Sequence, residues 1–478
     1  MWFTPDKKNE LPIFRQLYEK IKFLIHSGIL KENEKLPSSR FLSKDLGIAR
    51  STVLEAYDQL IAEGYLETRQ GSGTRVVPGL VALPPPAFDD SKALSAFGGC
   101  RIDEVQSENI INFRSGIPDL EAFSQKEWGK IYARVCGALP SSSFRYCGPE
   151  GVWALREAIS AYLFRMRGLK VSPHRVMITS GSTQGLAMIS RLLRKTGEYI
   201  FAEDPAHIGM VEVVSRAGLH VQGVPVDEKG MDVSALQRSH AQQSSSNLAF
   251  VYTTPSHQYP LGAILPVQRR QSLVRFAREK QCYIIEDDYD SEFRHEGAPT
   301  SALYELAPEV VIYLGSFSKI LAPALRLGFA IIPEHMICDW KAEKMYTDVH
   351  TEALTQHTLA EFLNSGGLER HTWKMKKLYA RKRNHALACL KKVFGGAVSV
   401  SGQANGLHFV AAFPGLVFTD DLVNNLYEHG VKVIPVDKYS LSRSSKHAHK
   451  IILGYSHLPH EEISKGLETI KKITGYAC

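Results

Sequence analysis

Val310-Val311-Ile312-Tyr313-Leu314-Gly315-Ser316-Phe317-Ser318-Lys319 is the stretch on which the fold turns. Its first half is apolar, rich in β-branched residues and short, so it reads as a buried strand. It stops on a hydroxyl, a ring, a hydroxyl and an amine. Two further apolar runs behave alike. Cys282-Tyr283-Ile284-Ile285 leads into Glu286-Asp287-Asp288-Tyr289, and Val176-Met177-Ile178-Thr179 leads into Ser180-Gly181-Ser182-Thr183-Gln184-Gly185-Leu186. From Asn112 onward such runs alternate with amphipathic helical patterns, which predicts an α/β domain.

The strand ends carry chemistry. A lysine at a strand end, flanked by small hydroxyl residues, suits a Schiff base with pyridoxal 5′-phosphate (PLP). Ser316 and Ser318 can bind the phosphate, and Arg326 can add a bidentate contact. A carboxylate at 287 would keep a pyridine nitrogen protonated, and Tyr289 would reach the ring's phenolic oxygen. The small-residue turn at 180–183 opens a helix, whose N–H groups cradle phosphate. Each element alone is common; the three together, in this order, are not.

Residues 1–77 read differently. Ile13, Leu17, Ile21, Leu24 and Ile25 fall at helical spacing before Gly28. Leu36-Pro37-Ser38-Ser39-Arg40 opens a second helix, capped by Ser38 or Ser39, that stops at Gly47. A third runs from Ser51 to Ala62 with Val53, Leu54, Tyr57, Leu60 and Ile61 inward. Helix, glycine turn, helix is a helix-turn-helix plan. Gly64–Gln70 and Thr74–Val77 then form a hairpin wing around Gly71-Ser72-Gly73. Such a third helix enters the DNA major groove by its N-terminal end, where Arg50, Ser51 and Thr52 lie. Ser39, Arg40 and Lys44 on the second helix, with Arg69 and Arg75 on the wing, would mostly meet phosphates.

Composition bounds the rest. The chain has 478 residues, too many for one ordinary core. Residues 78–110 read as a linker, stiffened by Pro84-Pro85-Pro86. Residues 111–478 form the larger domain, with a small C-terminal subdomain from about 366. Seven cysteines at wide spacing contain no C-x-x-C, which argues against a disulfide framework or a zinc site. No apolar run of spanning length and no signal peptide is evident, so a cytoplasmic protein without a membrane partner is expected. Twelve Lys/Arg against ten Asp/Glu in residues 1–77 would not by themselves flag a nucleic-acid partner.

The run Leu36-Pro37-Ser38-Ser39-Arg40, Leu46-Gly47, Arg50-Ser51-Thr52-Val53, Ala56-Tyr57, Gly64-Tyr65-Leu66 and Gly71-Ser72-Gly73-Thr74 resembles the GntR-type winged helix-turn-helix. Residues 110–478 resemble fold-type I PLP-dependent aminotransferases, with large and small domains. Further matches are Arg145-Tyr146, Gly148-Pro149-Glu150-Gly151, Glu203-Asp204-Pro205, Thr254-Pro255-Ser256-His257-Gln258-Tyr259-Pro260-Leu261-Gly262 and Gly367-Leu368-Glu369-Arg370-His371. End to end, the chain resembles the MocR/GabR family of bacterial transcriptional regulators. The resemblance implies that Lys319 forms the internal aldimine, Asp287 meets the pyridine nitrogen and Tyr289 the phenolic oxygen. It gives Ser182, Thr183, Ser316, Ser318 and Arg326 to the phosphate and His207 to ring stacking. It also implies promoter DNA as partner, a small-molecule effector and a head-to-tail homodimer.

Three departures from the family's pattern matter. His457, in Gly454-Tyr455-Ser456-His457-Leu458, stands where they clamp a substrate carboxylate with arginine. Gly209 replaces a basic residue of the γ-aminobutyrate-sensing relative, and Tyr259 replaces an asparagine near the ring oxygen. A neutral histidine cannot copy a bidentate arginine; Arg443 is a candidate replacement whose position the sequence does not fix. The expectation is a PLP-dependent regulator without a catalytic role, sensing PLP itself like the PdxR-type regulators of vitamin B6 synthesis, or a PLP–amine aldimine with His457 beside the effector. The alternative is a working aminotransferase carrying a DNA-binding appendage.

Overall fold

The computed structural model describes residues 3–6, 9, 11–69, 73–79, 110–243, 247–297, 300–442 and 444–476. Residues 80–109 of the expected linker, with its three prolines, the wing's tip at Gly71-Ser72 and Arg443 lie outside the described residues. The chain divides into two compact units, 1–105 and 106–478.

In the first unit, α1 (Ile13–His26), α2 (Ser39–Leu46) and α3 (Arg50–Ala62) precede β1 (Leu66–Arg69) and β2 (Gly73–Val76). Leu17, Tyr18, Ile21, Leu42, Val53, Ala56, Tyr57 and Leu60 fill its core. Leu54, expected to face inward, is instead 39% exposed, and Ala56 is fully buried. The inward set on α3 is thus 53, 56, 57 and 60, one helical stripe, and residue 54 points about 100° away from 53. The Ser38 hydroxyl accepts from Phe41 N at 3.2 Å and caps α2. Gly47 closes it with φ 64°, a left-handed conformation that glycine adopts without strain. The wing strands pair antiparallel, Leu66 opposite Val76.

The second unit is built on one eight-stranded sheet. Its strands are β4 (Val176–Thr179), β5 (Tyr199–Asp204), β6 (His220–Asp227), β7 (Gly230–Met231), β8 (Leu248–Thr253), β9 (Tyr283–Asp288), β10 (Val311–Ser316) and β11 (Gly328–Ile331). They lie in the order β4-β11-β10-β9-β8-β5-β6-β7. β10, β9, β8, β5 and β6 run parallel. β11 is antiparallel to both neighbours, which returns β4 to the common direction. The sheet is buried on both faces: along β10, Val311 and Tyr313 enter one core while Ile312 and Leu314 enter the other. That explains the continuous apolar runs. Leu314 is fully buried beneath the end of β10, and its truncation to alanine would cost roughly 2–5 kcal/mol.

A 28-residue helix, Gly367–Phe394, leads into a four-stranded antiparallel sheet of β12 (Ser399–Ser401), β13 (His408–Ala412), β16 (Lys450–Gly454) and β15 (Ile434–Pro435). β3 (Ile111–Asn112) pairs in parallel with β14 (Val431–Lys432), so the segment entering the second unit is tied to its far end.

Candidate cofactor site and DNA interface

Because the central strands share one direction, their C-terminal ends meet along one edge of the sheet, where open α/β sheets bind ligands. Lys319 follows β10, Asp287 and Tyr252 lie one residue before the ends of β9 and β8, and His207 follows β5.

Three consecutive carboxylates on β9 have three fates. The Glu286 oxygens accept from the Leu303 and Tyr304 N–H groups at 2.9 and 2.8 Å. Asp288 lies on the same side and is neutralised by Arg167, 2.5 Å away, with Tyr313 and Ser291 hydroxyls at 2.7 and 2.8 Å. Asp287 points the other way. Its Oδ2 accepts from the Tyr252 hydroxyl at 2.6 Å, while its Oδ1 is buried without a partner. Burial pushes its carboxyl up to about 6, against the pull of the Tyr252 hydrogen bond. A buried carboxylate oxygen lacking a donor is costly. A protonated pyridine nitrogen would satisfy it.

Lys319 is only partly accessible. Burial, then the nearby Arg114 cation, pushes its ammonium below the ordinary lysine range, which favours the neutral, nucleophilic amine. Gly116 admits it closely: a Cβ there would lie 3.4 Å from Nζ.

The helix Ser182–Leu193, which follows β4, starts at Gly181 with no side-chain cap. Its first N–H groups, from Ser182 and Thr183, have no intrahelical acceptor and form an anion cradle. Gly181 has φ 102°, and a Cβ there would lie 2.9 Å from an Arg326 guanidinium nitrogen. Arg326 donates to Ser180 O at 2.6 Å and so caps the cradle. The Ser316 hydroxyl accepts from Ser318 N at 3.2 Å, and both serines are buried beside Lys319. An orphaned buried carboxylate oxygen, a partly buried lysine and an uncapped helix N-terminus with an arginine above it fit PLP.

His207 begins the helix Ile208–Arg216, its Nδ1 accepting from Met210 N at 3.3 Å. Its ring lies 5.2 Å from that of Tyr259, and burial, then the Lys319 and Arg114 charges, pushes it down to about 4. It is therefore a neutral ring at pH 7. The Tyr289 hydroxyl donates to His257 O at 2.9 Å. His257 in turn meets Asp290 at 2.9 Å. His457 donates from Nε2 to Asn112 O at 2.8 Å, so one of its nitrogens is spent on backbone. Tyr252, Arg114 and Gly116 have no local motif. Tyr252 meets Asp287 only through pairing of β8 with β9, and the sequence signal was merely a tyrosine at a strand end.

In the first unit Arg40, Lys44, Arg50 and Ser51 are exposed, with Ser39 and Thr52 half-buried. Arg50 sits on the first turn of α3, its Nε donating to the Ser39 hydroxyl at 3.4 Å. On the wing, Arg69 pairs with Glu67 at 2.6 Å. Arg75 is half-buried and donates to Asn33 O at 2.8 Å, bracing β2.

Residues 14–76 match the gntR family of bacterial regulatory proteins, and residues 108–468 match the aminotransferase class I and II family. A probable rhizopine catabolism regulatory protein, MocR of Rhizobium meliloti, is 30% identical over 98% of this chain and 94% of its own. The chain belongs to the MocR family of transcriptional regulators. Another relative, the HTH-type pyridoxine biosynthesis transcriptional regulator PdxR of Corynebacterium glutamicum, is 34% identical over 80% of this chain and 79% of its own. Among solved structures, the α-aminoadipate aminotransferase LysN of Thermus thermophilus, complexed with N-(5′-phosphopyridoxyl)-L-leucine, superposes with a TM-score of 0.71. It is 26% identical over 80% of this chain and 96% of its own. A multiple substrate aminotransferase from Thermococcus profundus gives 0.70 at 25% identity, over 81% and 95%. This MocR-family chain thus joins a GntR DNA-binding domain to a PLP-binding, aminotransferase-like domain. No helix among the described residues is long and apolar enough to cross a membrane.

Proposed function

We propose that this MocR-family protein is a promoter-binding homodimer whose DNA affinity is set by the state of the PLP site, and that it is not a working aminotransferase. PLP itself, or PLP joined to an amine, is the signal. The observation that carries this reading is the fate of position 457. Enzymes of the fold hold a substrate carboxylate there with arginine; here His457 gives Nε2 to the Asn112 carbonyl. The residues expected to hold the cofactor, Lys319, Asp287, Arg326 and the helix start at Ser182, are present. When bound, PLP supplies an electrophilic carbon and an electron-accepting ring. Lys319 holds it, Asp287 keeps its ring nitrogen protonated, and Ser316, Ser318 and Arg326 fix its phosphate. The similarity to a regulator of pyridoxine biosynthesis supports PLP as the first ligand to test.

A signal shifts two arrangements of a protein only by binding them unequally. Two winged helices, each burying little DNA, would read paired half-sites. The test against the enzymatic reading is steady-state turnover of PLP-loaded protein with paired amino donors and keto acceptors, run beside footprinting of its own upstream DNA. The expected result is a protected operator with no sustained turnover. Turnover at an enzyme's ordinary rate, about 1 per second or faster, without specific protection would move the protein to the aminotransferase reading.

A further inference from the structure

We propose that His257 and Asp290 are positioning residues for the cofactor: Asp290 keeps a hydrogen on His257 Nδ1, Nδ1 shares it with the Tyr289 oxygen, and the Tyr289 O–H is left to donate to the cofactor's phenolic oxygen. The inference rests on the reading of the PLP site above and adds the groups that stand behind Tyr289.

His257 and Asp290 are both buried. His257 Nδ1 lies 3.0 and 2.9 Å from the two Asp290 oxygens and 3.1 Å from the Tyr289 hydroxyl. The His257 and Tyr289 rings are stacked, 5.8 Å apart at 27°. One residue thus meets the Tyr289 hydroxyl twice, through a ring nitrogen and, at 2.9 Å, through its own carbonyl. The other ring nitrogen, Nε2, is buried without a partner. A hydrogen on Nε2 would be a buried donor with no acceptor, whereas on Nδ1 it faces a carboxylate. The carboxylate therefore selects the tautomer. A tyrosine oxygen that accepts a hydrogen bond becomes a stronger donor through its own hydrogen. Of the acceptors open to that hydrogen, the phenolate oxygen of PLP is charged and outcompetes the His257 carbonyl.

The pair is closed over by the loop between β12 and β13. Gly406, at φ 75°, comes so near that a Cβ there would lie 2.3 Å from both Asp290 Oδ2 and His257 Cε1. Asn405 Nδ2 donates to Ser256 O at 3.3 Å, tying the same loop to the residue before His257. The His408 ring lies 5.1 Å from that of His257 and gives its Nε2 to Pro260 O at 3.0 Å. Burial pushes His408 down to about 3, so it faces His257 as a neutral ring. In so dry a setting, losing either member of the pair strands the other, and the arrangement is held tightly.

The experiment is a double-mutant cycle between positions 257 and 289 in PLP-loaded full-length protein. It is read by the pH midpoint of the cofactor's absorbance change and by PLP affinity in equilibrium dialysis. A hydrogen bond to the phenolic oxygen makes the bound cofactor release its proton at lower pH. Tyr289→Phe and His257→Leu therefore both raise the midpoint, the second by about one pH unit, and both weaken PLP binding. His257→Asn, whose amide nitrogen can stand where Nδ1 stands, restores part of each. In the Tyr289→Phe background, His257→Leu adds nothing, whereas a general loosening of the site would add in full. Asp290→Ala shifts the midpoint in the same direction and keeps the proposal testable should His257→Leu fail to fold. Unmoved readings in His257→Leu, or effects that add in full to those of Tyr289→Phe, overturn the proposal while leaving the PLP site intact. Absence of a Lys319-dependent PLP band in wild type overturns the reading beneath it as well.

Discussion

Asp287 has a raised carboxyl because its burial is incompletely compensated: one oxygen has Tyr252 and the other has nothing. Its ordinary value is 3.8 and its folded value about 6, so between them the cofactor-free folded protein keeps a proton that the unfolded chain has lost. The resulting stability is complete below about pH 4 and is lost as pH rises through about 6. About two pH units correspond to roughly 3 kcal/mol. Asp287→Asn should abolish that loss. Urea unfolding of cofactor-free protein at pH 4 and 7.5 should show the variant gaining on wild type by this order; parallel losses in both would contradict the burial argument. Tyr252→Phe should weaken PLP binding about tenfold, read by equilibrium dialysis, since it removes a charge-assisted hydrogen bond from the carboxylate. Lys319 and Asp287 were legible as residues because strand ends announce themselves. Tyr252 was not, because its partner lies on the neighbouring strand, 35 residues away. Arg114 was hidden likewise, since its setting comes from pairing of β3 with β14 and packing against the end of β16.

At the scale of elements, helix N-termini do most of the positioning. The helix after Gly181 has no cap of its own, which frees its N–H groups for an anion, whereas α2 is capped by Ser38. Ser38→Ala should therefore cost about 1 kcal/mol in urea unfolding of the full chain; no change would mean that the cap is idle. α3 starts at Arg50, one residue before the expected start, which places Arg50 on its first turn. Arg50→Ala should weaken operator binding while the PLP absorbance stays intact, measured by fluorescence anisotropy at fixed salt. Unchanged affinity would move the recognition surface elsewhere. Strands and helices were readable here from apolar runs and glycine stops. The orientation of α3 was readable only in part: Leu54 looked inward by composition, but the helical stripe through Val53, Ala56, Tyr57 and Leu60 left it outside.

At the scale of the molecule, two units of different descent share one chain. The α/β sheet was evident in the alternation of runs, and the winged helix in its turn residues. The tie between β3 and β14 was not, because a two-residue parallel pair joining positions 111 and 431 leaves no local pattern. Functionally, the central claim is that the PLP site governs DNA affinity. The direct measurement is affinity for the protein's own upstream DNA, titrated with PLP at one fixed salt concentration, for wild type and Lys319→Ala. A PLP-dependent shift in wild type that is absent from Lys319→Ala is the predicted result. Tight binding indifferent to PLP and to amino acids in both proteins would contradict it.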